Sequence, residues 1–168
     1  MKKISLILFL FQIVFLSCDN INDENNCQPE TTLSKWESEK EIMLEFNEAA
    51  QRNHYQVANG NKLVFNYIHV GAQCDDIIDD EWAEVLIFQI ENDIEEFEFV
   101  DDEILTTNCF YFQNGAWAFG TQQNVKKGFI RGEKISVNTW EINVNIETNT
   151  INQDEPIRNI EFEGKFTN

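Results

Sequence analysis

Apolar positions along this chain of 168 residues follow three different rules. From Ile4 to Leu16 they run almost unbroken, interrupted only by Ser5 and Gln12. From Thr31 to Asn53 they fall on one stripe. Trp36, Met43, Phe46, Ala49 and Ala50 lie together with Leu33 and Ile42 nearby, and Glu37, Glu39, Lys40, Glu41, Glu45 and Glu48 take the other side. That spacing predicts an amphipathic helix of roughly five turns, packed on its own domain. Ser34 and Glu37 make a capping-box pattern at its start, with Thr31 or Thr32 as alternative caps. From Tyr55 onward the period becomes two, the signature of strands.

Within the β-patterned part, Asn59-Gly60 is the strongest short hairpin signal, set between His54–Ala58 and Lys62–Val70. In Lys62–Val70, Leu63, Phe65, Tyr67 and His69 share one face, and Val64, Ile68 and Val70 the other. Two apolar faces predict a strand inside a sheet. Gly71 to Trp82 reads as a loop, Ala83 to Ile90 as a buried strand, and Glu95 to Val100 as a one-faced strand. Asp101-Asp102-Glu103 starts a short helical turn. Cys109–Gln113 and Ala116–Gly120 read as a hairpin turning at Asn114-Gly115. A strand from Phe129 to Arg131 is expected to turn at Gly132-Glu133. Thr139–Thr148 is the clearest strand, with Trp140, Ile142, Val144 and Ile146 on one face. A bulge is expected near Asn138, because Ile135 and Val137 are out of step with Trp140. The last strand carries Ile160, Phe162, Gly164 and Phe166. One-faced strands at short spacing imply antiparallel pairing. The expected fold is mainly β, an antiparallel sandwich or barrel, with the N-terminal helix packed on one face.

The first stretch has a different logic. Lys2 and Lys3 precede the apolar run, and Leu16-Ser17-Cys18 is followed at once by Asp19. A charged start, an apolar middle and a small residue before a cut make a secretory signal. At a helical rise of about 1.5 Å the run covers roughly 20 Å, too short for a hydrocarbon core of about 30 Å. Phe15, Leu16, Ser17 and Cys18 resemble the lipobox of bacterial lipoproteins, with Phe15 where the commonest form has Leu. The resemblance covers this stretch alone. It implies that Cys18 becomes the lipidated N-terminus of a protein tethered to the bacterial cell envelope. The chain then divides into a signal peptide (1–17), a lipidated Cys with an acidic spacer (18–30), and one β-rich domain (31–168). The spacer, DNINDENNCQPE, is polar and without periodicity.

Composition narrows the partners. The formal charge is -18, from 30 acidic and 12 basic residues. Such a chain is repelled by nucleic acid and by anionic lipid surfaces, so contact with the membrane is assigned to the lipid on Cys18 alone. Beside Cys18, three cysteines remain in a compartment that permits disulfides: Cys27, Cys74 and Cys109. Cys74–Cys109 is the favoured pair, because both flank strand-like segments while Cys27 sits in the spacer; three free thiols are the alternative.

Candidate chemistry is sparse. The acids Asp75, Asp76, Asp79 and Asp80 are weak calcium candidates, since calcium takes six to eight oxygens, but their spacing does not match an EF-hand. His54 and His69 do not form HExxH, and no GxSxG, phosphate-binding loop or dinucleotide fingerprint is present. No cofactor and no catalytic residue is assigned. Among the aromatics from Phe110 to Phe119, Tyr111, Trp117 and Phe119 are candidates to face a ligand, since alternation turns about half of them away from the core. The expectation is a non-enzymatic, lipid-anchored module binding an unknown protein or small ligand. The alternatives are an acidic inhibitor or protective protein acting against a cationic hydrolase, and a hydrolase with an unrecognised site.

Overall fold

A computed structural model describes residues 27–49, 52–115, 123–148 and 157–168. The signal stretch with Cys18, the segment holding Trp117 and Phe119, and the connection through Pro156 lie outside these residues. In chain order the strands are β1 (Cys27–Gln28), β2 (Thr31–Asn47), β3 (Arg52–Val70), β4 (Gln73–Cys74), β5 (Trp82–Glu91) and β6 (Glu96–Val100). A 3-10 helix, Asp101–Thr107, leads to β7 (Phe110–Gly115), β8 (Gln123–Ser136), β9 (Thr139–Thr148) and β10 (Asn159–Thr167).

The fold is mainly β, as the period-two patterns predict. One layer is β2, β3, β5 and β7; the other is β6, β8, β9 and β10. Two short junctions join them. Between β7 and β8 only two residue pairs meet, and β10 meets β2 through the single parallel pair Thr167–Lys35. With such thin seams the molecule is sandwich-like and not a closed barrel. The inner faces interleave. β9 supplies Trp140, Ile142, Val144 and Ile146, every one fully buried. Phe65 of β3 sits at the centre, stacked on Phe88 at 5.0 Å and edge-on to Trp140 at 5.4 Å and Phe166 at 5.8 Å. Offset and edge-on rings of this kind add to the area that each buries.

The helix expected over Thr31–Asn53 is a β-hairpin. β2 and β3 pair antiparallel from Thr31–Val70 to Asn47–Arg52. Nine of its seventeen residues are Glu, Lys, Leu or Met, which favour helix locally, but the long ladder to β3 outweighs that preference. Ile42 and Phe46 also fit an alternation, so the stripe was ambiguous between the two periods. Asn59-Gly60 is not the reversal, which lies between Asn47 and Arg52. It is a kink: Lys40 pairs with both Asn59 and Lys62, so Gly60 and Asn61 bulge out. Beyond the kink the hairpin lies over the outer face of its own sheet. Ile42 is buried there against Val64, Ile87 and Phe110, with Tyr55 packed beside them. Both backbone groups of Ile42 are clamped. Its N–H donates to Gln89 Oε1 at 2.6 Å, and its carbonyl accepts from Asn108 Nδ2 at 3.2 Å.

Three further expectations shift. Asn114-Gly115 is no turn, because β7 runs through it with Gly115 opposite Trp82. Gly132-Glu133 is no turn, because β8 runs straight through it. A Cβ at Gly132 would strike Phe97 and Ile142, so only glycine lets β6 and β9 close over that point. The irregularity expected near Asn138 falls between Lys134 and Ser136, beside the tight turn at Val137-Asn138. Trp36 Nε1 donates to the carbonyl of Asn138 at 3.2 Å and ties that turn to β2.

Candidate binding cleft

At the other end of the sandwich the chain between β3 and β5 forms a loop tied at several points. Its base closes where Gly71 N donates to the carbonyl of Trp82 at 3.0 Å. β1 and β4 pair antiparallel in register Cys27–Cys74, and a disulfide joins these two residues. This corrects the expected Cys74–Cys109 pairing. Cys109 is a free thiol packed in the core, and burial pushes its pKa far above the ordinary range, so it is inert. It also moves the domain boundary, since Cys27, assigned to the spacer, is stapled to the domain. Within the loop, Ile77 N donates to the carbonyl of Cys74 at 3.1 Å, and Asp80 Oδ2 accepts from Cys74 N at 2.6 Å.

These ties leave an open cleft of about 490 Å³ between the loop and the end of β7. Ala72, Ile77, Trp82, Gln113, Gly115 and Arg158 line it. Its lip is apolar: Ile77 is 56% exposed and the adjacent Ile78 is 88% exposed. Trp82 is held from behind, its indole edge-on to the His69 ring at 5.3 Å. His69 Nδ1 in turn lies 3.3 Å from Thr32 Oγ1.

Below the cleft runs a polar network. Glu84 Oε1 accepts from the Tyr111 hydroxyl at 2.7 Å and from Gln113 Nε2 at 2.9 Å, and Arg158 Nη1 stands 4.0 Å away. Tyr111, a candidate to face a ligand, is instead in the core with only its hydroxyl reaching this network. Burial first, and then the hydrogen bond and charge of Glu84, hold its pKa far above the ordinary tyrosine value. Trp117 and Phe119 fall outside the described residues.

Of the calcium candidates, Asp80 is turned to the Cys74 backbone, and Asp76 and Asp79 are exposed. Among the described residues no three His, Cys, Asp or Glu side chains converge on a point where a metal ion would sit. A hydroxyl does meet an imidazole, Thr32 Oγ1 at 3.3 Å from His69 Nδ1 with Glu30 3.8 Å from His69 Nε2, but this contact is exposed on the β2–β3 ladder behind Trp82. His54 pairs with Glu45 at 3.2 Å at the far end of the hairpin, away from His69 and from the buried Cys109. Two other hollows, beside Glu98 and Glu141 on β6 and β9 and beside the Gly60 kink, are lined mainly by polar and charged groups. Of these three hollows, the cleft is the one whose lip carries exposed aliphatic side chains in a held geometry. Sequence reasoning passed over Ile77-Ile78. The available signal was a pair of β-branched apolar residues inside an acidic loop, bounded by a cysteine and a tryptophan. Comparison with family models, curated proteins and solved structures finds nothing that matches this chain.

Proposed function

We propose that this protein is a lipid-anchored, non-enzymatic binding module of the bacterial cell envelope. One observation carries the compartment: the Cys27–Cys74 disulfide, a bond that persists where thiols are oxidised and is rare in the cytosol. It agrees with the signal-like start and with the lipobox resemblance at Cys18. The staple also suits a tether. Nine positions separate Cys18 from Cys27, so a pull on the anchor reaches the fold through a covalent bond and not through a frayed first strand. The binding reading is supported by a packed core and a surface cleft with apolar side chains open at its lip. Palmitate labelling in growing cells tests the anchor. Label should enter the wild-type chain in the membrane fraction and be lost in Cys18→Ala; equal labelling of both would refute it.

The acidic-inhibitor reading keeps support from one feature, the held loop with an exposed apolar tip on a chain of charge -18. A preorganised loop loses little freedom on docking, and a negative field speeds encounter with a basic partner.

A further inference from the structure

We propose that the Cys74–Trp82 loop is the docking surface, and that its partner is a protein segment presenting an apolar side chain flanked by lysines or arginines. The inference rests on the binding-module reading and adds the surface and the chemistry of the partner.

The apolar part comes first. Ile78 at the loop tip is 88% exposed, and Ile77 opens onto the same cleft as Trp82. The disulfide, the Asp80 carboxylate and the Gly71–Trp82 bond hold these side chains out, so the fold does not bury them by relaxing. Apolar surface presented on a clamped loop is the anatomy of an interface centre. A cleft of this size takes one large side chain with room to spare.

Charge decides the flanks. Five of the ten residues from Gln73 to Trp82 are acidic and none is basic. Arg158, at the cleft wall, already faces Glu84. Alone, the acids would mark a solvated loop. Here Asp79, Asp80 and Glu81 line the cleft beside Ile77 and Trp82, and acids so placed select a cationic partner. They also argue against two other occupants. A second copy would bring the same acids against these, and a lipid surface would have to accept carboxylates on both sides of Ile77-Ile78.

The test uses the full chain, disulfide intact, in neutral detergent, and three labelled ten-residue peptides read by fluorescence anisotropy. One has a central Phe flanked by lysines, one a central Ser flanked by lysines, one a central Phe flanked by glutamates. The Lys–Phe peptide should bind best, at least tenfold better than the Lys–Ser peptide, and weaken steeply from 20 to 300 mM salt. Ile77→Ser/Ile78→Ser should lower its affinity at least tenfold with an unchanged urea midpoint. Equal binding to wild type and variant would overturn the surface assignment and leave the binding-module reading standing. Preference for the Glu–Phe peptide, or binding of none, would overturn the partner class. A dimer dissolved by the double substitution would overturn it in favour of self-association. Adsorption of a Cys18→Ser chain to phosphatidylcholine vesicles, abolished by the same substitutions, would overturn it in favour of a lipid surface.

Discussion

Replacing Cys27 and Cys74 together by serine opens a ring that spans 47 residues of sequence. In the chain-entropy picture, removing a closure of that length frees the denatured chain by about 4 kcal/mol at 25 °C. The native state recovers part of this. Once cut, β1 is held to β4 by two register pairs alone and frays, which returns up to about 2 kcal/mol of backbone entropy once the ladder contacts given up are set against it. The net loss should therefore be about 2–4 kcal/mol. With a urea slope of about 1–3 kcal/mol/M for a small domain, the unfolding midpoint should fall by roughly 1–2 M. The assay is equilibrium urea unfolding, followed both by tryptophan fluorescence and by circular dichroism, on wild type and the double variant. Both proteins carry Cys109→Ala, because unfolding exposes that thiol and would let it exchange with the disulfide. Native-state hydrogen exchange adds a local readout. The Cys74 and Ile77 amides should lose protection while those of β9 keep theirs relative to global unfolding. A midpoint unchanged within about 0.3 M would show that the staple does not restrain the denatured chain, and the reasoning would fail.

Three other outcomes are expected. Gly132→Ala places a Cβ against Phe97 and Ile142 and should destabilise by about 1–3 kcal/mol in urea titration; a neutral result would mean that the core at β6 and β9 is looser than described. Gln89→Leu strands the Ile42 N–H and should cost about 1–3 kcal/mol locally. Proteolysis near the Asn47–Arg52 reversal should then accelerate, and an unchanged cutting rate would show that the clamp is idle. Finally, Tyr55, Tyr67 and Tyr111 all have raised pKa values, chiefly through burial. The folded state keeps their protons longer than the unfolded one, so the stability they contribute is complete below pH 10.0 and drains away as pH rises above it. Buried Tyr111 alone accounts for a slope of up to about 1.4 kcal/mol per pH unit. Phenolate absorbance rising before loss of ellipticity would contradict this.

The strands that alternate against one buried layer were legible in the sequence. Trp140 to Ile146 shows why: every second residue is apolar and every one of them is fully buried, so pattern and packing agree. The Thr31–Asn47 segment was not, because its composition favours helix and the partner that makes it a strand lies across a reversal. Local pattern carries no information on such pairing. Asn59-Gly60 misled for a related reason: the dipeptide supplies backbone freedom, and here the fold uses it for a kink. The sequence points to the wrong disulfide because Cys27 reads as spacer, whereas a two-residue strand brings it to Cys74. Of the candidate site, the acids of the loop were visible. The apolar pair among them was not, since its meaning depends on a clamp formed by distant residues.

The account stands most directly on the state of the mature chain in its own cells. Intact-mass measurement of the protein extracted from the envelope should give a chain that begins at Cys18, heavier by its acyl groups and lighter by two hydrogens for the Cys27–Cys74 bond. A chain recovered from the cytosol with its first methionine and all four cysteines reduced would contradict it.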